Sequence, residues 1–135
     1  MTRLPILYLI VPCYNEEAVL DETNLRLVNL MINLMNTECV DRNSKILYVD
    51  DGSVDQTWNM ICRFHDDKNI SVGLKLAGNS GHQNALMAGL SVAKEYADIM
   101  ISIDADLQDD IRAIPIMVEK YGLGNDIVYG VRALS

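Results

Sequence analysis

The stretch Ile99-Met100-Ile101-Ser102-Ile103-Asp104-Ala105-Asp106-Leu107-Gln108-Asp109-Asp110 decides the fold and points to its site. A short apolar run of the kind that forms a buried strand ends in four aspartates within seven positions. Strand alternation puts residues i and i+2 on one side, so Asp104 and Asp106 are expected to aim at one point. Carboxylates held that close repel each other unless a cation lies between them. Hard divalent cations such as Mg²⁺ take oxygen ligands, usually one or two carboxylates completed by substrate phosphates. The stretch therefore reads as a metal site for a diphosphate, at the carboxyl end of a buried strand. Aspartates after a strand also cap helices and form turns. That local role is expected of Asp109 or Asp110, ahead of the next helix.

The rest of the chain alternates in the same way. Residues 6–11 form a continuous apolar run ended by Pro12, the pattern of a strand buried on both faces. Apolar residues at helical spacing follow from Glu16 to about Met35. Lys45 to Val49 is a second apolar strand. Asp55 to about Phe64 reads as a helix capped by Asp55 or Ser53. Ile70 to Leu76 is a third strand, and residues 77–81 form a tight turn. His82 to Tyr96 is helical, with Ala85, Ala88, Gly89 and Ala93 letting it lie close to a sheet. Ile99 to Ile103 makes a fourth strand, Ile111 to Tyr121 a helix, and Asp126 to Tyr129 a fifth strand. Pro115 implies that the last helix begins late or irregularly.

Strands alternating with helices imply right-handed crossovers and a parallel sheet covered on both faces. Ligands of such sheets bind at the carboxyl ends of strands, near the point where strand order reverses. The loops there are residues 12–16, 50–53, 77–81 and 104–110. At 135 residues the chain is one domain, able to bury about two-thirds of its unfolded surface. A net charge of −8 without a basic stripe argues against nucleic acid. The three cysteines, Cys13, Cys39 and Cys62, are an odd number without C-x-x-C spacing and read as reduced thiols of a cytosolic protein. No signal-peptide pattern or apolar run of transmembrane length is present, so the chain is expected to be soluble and cytoplasmic.

Common parallel α/β alternatives fail on their motifs. The first loop, Pro12-Cys13-Tyr14-Asn15-Glu16-Glu17, has no glycine, which excludes G-x-G-x-x-G dinucleotide binding. There is no P-loop. A haloacid-dehalogenase-like phosphatase carries D-x-D after its first strand, whereas here it follows the fourth. A receiver domain carries its acidic pair after the first strand, and here the pair follows the second.

Four stretches in order, Pro12 to Glu17, Asp50-Asp51-Gly52-Ser53-Val54-Asp55-Gln56-Thr57, Asn79-Ser80-Gly81-His82-Gln83-Asn84-Ala85-Leu86 and Asp104 to Asp110, together with Gly130-Val131-Arg132, resemble the family 2 glycosyltransferases of the GT-A fold. The combination is most similar to the polyprenyl-phosphate sugar transferases, which include bactoprenol glucosyltransferases and dolichol-phosphate mannose synthases. The resemblance spans nearly the whole chain. It implies a Rossmann-like, mostly parallel sheet ending after about the fifth strand. It also implies that residues 1–135 are the nucleotide-sugar-binding portion of a longer protein whose acceptor half and membrane segments lie beyond.

By resemblance, Pro12, Tyr14 and Glu16 wall the nucleotide, with Tyr14 able to stack on the base. Asp51, with Asp50 beside it, accepts hydrogen bonds from base or ribose. Gly81 and Ala85 let the following helix approach the nucleotide. Asp104, Asp106 and Gln108 hold Mg²⁺ or Mn²⁺ and the diphosphate, and Arg132 grips the diphosphate. His82 is expected to hydrogen-bond rather than act as a base, and no catalytic base is identified. Relatives often carry Arg-Asn-Phe-Gly in the third turn, where this chain has Gly78-Asn79-Ser80-Gly81. The implied activity is inverting, metal-dependent transfer of a hexose from a UDP- or GDP-sugar to an acceptor, a polyprenyl phosphate at the cytoplasmic membrane face. The alternative is a nucleotide-sugar-binding module without turnover by itself.

Overall fold

The structure, a computed structural model, describes residues 3–108 and 110–122. Its elements are β1 (Leu7–Cys13), α1 (Leu20–Asn36), β2 (Lys45–Asp50), α2 (Thr57–Asp67), β3 (Ser71–Lys75), α3 (His82–Ala93), β4 (Ile99–Ser102) and α4 (Ala113–Gly122). The expected fifth strand and Arg132 lie outside the described residues. The four strands form a parallel sheet in the order β3-β2-β1-β4. Sequence order runs outward from β1 to β3 and then jumps to the far side of β1. The reversal point is therefore the gap between β1 and β4, where a parallel sheet opens a crevice.

Alternation along the strands builds two cores. Leu7, Leu9 and Val11 of β1, Ile46 and Tyr48 of β2, and Ile99 and Ile101 of β4 face α1, α2 and α4. Tyr8 and Ile10 of β1 and Leu47 and Val49 of β2 face α3. The expected helices on both faces are present. Constant crossover handedness explains the division. Two connections run in one direction along the sheet and use one face, and the connection that reverses direction must use the other.

α3 approaches closely because of Gly89. A Cβ there would lie 2.6 Å from Ile10 Cγ2 and 2.9 Å from Val49 Cγ2. Ala85 and Ala93 on the same face are fully buried.

Several boundaries differ from the pattern, each for a local reason. β1 continues through Pro12, which pairs with Val49. Ile10 carbonyl receives Ile103 N–H while Cys13 carbonyl receives Asp51 N–H. Alternation therefore turns the Pro12 nitrogen towards the β4 side, where β4 has already ended, and the missing N–H costs nothing. α1 begins at Leu20 rather than Glu16, because the backbone of residues 15–17 is claimed by side chains of another loop. The expected capping of α2 by Asp55 or Ser53 is not found. The residue preceding α2 is Gln56, without a side-chain cap, and Asp55 instead closes a turn by accepting Thr57 N–H at 2.9 Å. α4 starts late, as Pro115 implied, after tight turns at Asp110 and Ile111.

At the opposite end of the sheet Asp98 ties β4 to the segment before β1. Its carboxylate accepts Ile6 N–H at 2.8 Å and the Arg3 guanidinium at 3.0 Å. Burial pushes its carboxyl up, but the Ile6 N–H and Arg3 outweigh that and hold it below the usual range. A depressed folded pKa gives stability that is present above the unfolded value and lost as pH falls through the folded one. Asp98→Asn should therefore lower stability by about 1 kcal/mol at pH 7. In urea titrations that gap should close in acid, and a gap of unchanged size there would contradict the assignment.

Candidate active site at the carboxyl ends of the strands

The loop after β2, residues 51–57, organises the site by holding two other loops. On one side it is laced to the loop after β1. Asn15 N–H donates to Ser53 Oγ at 2.8 Å, Glu16 N–H to Thr57 Oγ1 at 2.8 Å and Glu17 N–H to Asp55 Oδ2 at 3.2 Å. Val54 N–H returns to Asn15 Oδ1 at 2.9 Å, with Asn15 in the left-handed region at φ 53°. Burial alone would raise the Asp55 carboxyl, yet the Thr57 and Glu17 donors hold it below its ordinary value.

On the other side the same loop carries the loop before α3. Asp51 is 3% exposed. Its Oδ1 accepts Ser80 N–H and Ser80 Oγ–H, both at 2.8 Å, and its Oδ2 accepts Gly81 N–H at 2.9 Å. Gly52, at φ +80°, lies directly under that loop, and a Cβ there would fall 2.6 Å from Asn79 N and 2.7 Å from Gly78 C. Gly81 itself sits at φ 96°, which only glycine adopts without strain, and it starts α3.

These constraints open a cleft of about 230 Å³. Pro12, Tyr14, Glu16, Asp51, Gly81 and Ala85, six of the residues expected from the sequence, line it together. Cys13, Asn79 and His82 complete the lining. Asp50, expected beside Asp51, does not line it. Adjacent strand residues point to opposite faces, and Asp50 is fully buried with Ser53 N–H on Oδ1 at 3.3 Å and Oδ2 unpartnered among the described residues.

A model of the family described as "Glycosyl transferase family 2" matches residues 8–135, nearly the whole chain. The chain belongs to the family 2 glycosyltransferases. It is 50% identical over 128 residues to the uncharacterized glycosyltransferase YkoT of Bacillus subtilis, covering 95% of this chain and 38% of that protein. It is 35% identical over 126 residues to an undecaprenyl-phosphate 4-deoxy-4-formamido-L-arabinose transferase of Shewanella sediminis, covering 92% of this chain and 35% of that one. The chain thus spans little more than a third of the length of these relatives. Among solved structures its fold is similar to the mannosyltransferase PcManGT of Pyrobaculum calidifontis in complex with GDP-Man and Mn²⁺, with a TM-score of 0.63 at 22% identity over 87% of this chain and 32% of the other. Glucosyl-3-phosphoglycerate synthase of Mycobacterium tuberculosis, in complex with Mn²⁺ and UDP, gives 0.59 at 20% identity over 87% and 39%.

In this family 2 chain the aspartate pair after β4 is arranged by a turn rather than by strand alternation. β4 ends at Ser102, and Leu107 N–H closes back on Asp104 carbonyl at 3.0 Å with Leu107 at φ 52°. Expecting Asp104 and Asp106 to share a strand face was therefore wrong. Ala105 between them is buried, and its carbonyl accepts the hydroxyl of Thr23 on α1 at 2.5 Å, which pins the turn. Asp106 and Gln108 are exposed, with Gln108 N–H on Asp106 Oδ1 at 3.3 Å.

Among the described residues the turn contributes none to the cleft lining, but the charge of Asp106 reaches Glu16, which does line it. Burial raises the Glu16 carboxyl, and the charge of Asp106, then that of Asp55, raises it further against the pull of Tyr14 N–H. Two carboxylates from separate loops thus sense each other at the rim, an excess of negative field that a cation relieves. Among the described residues no three His, Cys, Asp or Glu side chains converge as a metal cage. An all-oxygen set of one or two carboxylates suits Mg²⁺ or Mn²⁺ that shares its shell with diphosphate and water. The residues fit the ion.

Thr23 and Thr57, which brace the aspartate turn and Glu16, carry no sequence signal of their role. Asn79 and His82 were within a recognised stretch but not assigned to the nucleotide. Among the described residues no helix is long and apolar enough to cross a membrane.

Proposed function

We propose that the protein transfers a hexose from a nucleotide diphosphate sugar to a polyprenyl phosphate, with inversion, and that residues 1–135 are its nucleotide-sugar-binding portion. The observation that carries this reading is the convergence of the loops after β1 and β2 and before α3 on one cleft at the carboxyl ends of the strands, with the charge of Asp106, after β4, felt by Glu16 of that cleft. The name of the Shewanella relative supports the acceptor class, and the complexes of the two fold neighbours support a nucleotide with a divalent cation.

Asp106, with Asp104 and Gln108, would hold Mg²⁺ or Mn²⁺. A cation there supplies neutralising charge to the diphosphate as it leaves C1. Tyr14 offers its ring face to the base, Pro12, Gly81 and Ala85 give the base and ribose room, and Asp51 and Glu16 accept their donors. Asp50, buried behind Asp51, stiffens that loop rather than touching ligand. Arg132 would grip the diphosphate through its guanidinium fork. An acceptor phosphate is already ionised at neutral pH, so single displacement needs no strong general base. Catalysis is expected at the cytoplasmic face of the membrane.

A binding module without turnover by itself is the second reading, favoured by the third of the relatives' length that the chain spans. Incubation with labelled UDP- or GDP-hexose, Mn²⁺ and undecaprenyl phosphate tests the two. Labelled glycolipid with release of nucleoside diphosphate is the expected result, and tight nucleotide binding without product would support the module.

A further inference from the structure

We propose that Ser80 makes the cleft selective for uridine over guanosine, by filling the acceptor position on Asp51 that a guanine edge would need. The inference rests on the nucleotide binding proposed above and names its base. An ionised carboxylate offers about four lone-pair positions, two on each oxygen. In Asp51 both positions of Oδ1 are taken, by Ser80 N–H and Ser80 Oγ–H, and one position of Oδ2 is taken by Gly81 N–H. Among the described residues, one acceptor position is left, on Oδ2. The side chain is 3% exposed, so little more than that position is open to a ligand in the cleft it lines.

The neighbouring walls are flat or apolar, with the Tyr14 ring, Pro12 and Ala85. They suit a heterocycle stacked edge-on to the carboxylate. The pairing edge of uracil carries a single donor, N3–H, between two carbonyl oxygens. One donor meets one open acceptor. Guanine presents two adjacent donors, N1–H and the exocyclic amino group, which suit a carboxylate with both oxygens free. Here the second donor would meet a saturated Oδ1. A buried donor without an acceptor loses its hydration without replacement, and a site built for one donor pattern rejects another on that ground. Cytosine and adenine turn a ring-nitrogen acceptor to the same place and are repelled.

Of the two bonds on Oδ1, the backbone one is fixed by the loop and the hydroxyl one is removable. Ser80 is exposed, so its substitution disturbs no packing. The experiment is calorimetric titration of UDP and of GDP, each with Mn²⁺, into the protein and its Ser80→Ala and Ser80→Thr variants. The parent should bind UDP about tenfold or more tighter than GDP. Ser80→Ala should bring the ratio within about threefold, chiefly by a gain for GDP, while Ser80→Thr keeps the parental ratio. Equal or tighter binding of GDP by the parent overturns the inference alone, as does an unchanged ratio in a folded Ser80→Ala variant. Binding of neither nucleotide overturns the nucleotide-site reading, and this inference with it.

Discussion

Gly52→Ala is expected to lower the stability of the protein by about 3 kcal/mol, combining the left-handed backbone with overpacking. A methyl group at φ +80° would lie within 2.7 Å of two backbone atoms, Asn79 N and Gly78 C, and neither can swing aside as a side chain can. The loop before α3 must lift, and the Asp51 hydrogen bonds to Ser80 and Gly81 stretch with it. For a chain of this size the melting temperature should drop by about 10 °C. Gly78→Ala is the control, because a Cβ there meets nothing within 4 Å. It should change stability by less than about 0.5 kcal/mol. Thermal melts followed by circular dichroism compare the two, and equal melting temperatures would show that the loop does not rest on Gly52.

Asp106→Ala should behave in the opposite way, sparing the fold and abolishing the chemistry. The residue is exposed, and its carboxylate accepts a long hydrogen bond from Gln108 N–H at 3.3 Å. Stability should move by less than about 0.5 kcal/mol. In the proposed site the cation would lose a protein anchor beside Glu16. Sugar transfer, or Mn²⁺-dependent nucleotide binding if the chain only binds, should fall about a hundredfold or more. A variant with the parental metal dependence would remove Asp106 from the site.

The apolar strand runs and the helical periodicities were legible, because burial on both faces of a parallel sheet writes itself into unbroken aliphatic stretches. Gly89 illustrates this: a small residue at a helix position facing the sheet implied close approach, and the Ile10 and Val49 methyls are within 3 Å of where its Cβ would be. What stayed hidden is contact between loops. Ser53 and Asp55 looked like local caps for α2, yet their side chains, together with that of Thr57, hold the loop after β1. The side chain of Thr57, at the start of α2, gives no sign of a partner 41 positions away. Asp50 and Asp51 looked like a pair, and only strand alternation, applied across their junction, separates a buried carboxylate from one that lines the cleft. The same rule was pressed too far at Asp104 and Asp106, where a turn takes over after Ser102.

A larger apolar groove of about 670 Å³ lies at the other end of the sheet, between Leu4, Pro5 and Val118 and Tyr121 of α4. It offers no acidic loop, and it provides a clear alternative location for a bound nucleotide. A crystal structure of the protein grown with UDP and Mn²⁺ decides between the two. The account predicts Mn²⁺ coordinated by an Asp106 oxygen and the diphosphate, with the base against Tyr14 and Asp51. A nucleotide seated in the Leu4–Tyr121 groove, or a Mn²⁺ bound without Asp106, would contradict it.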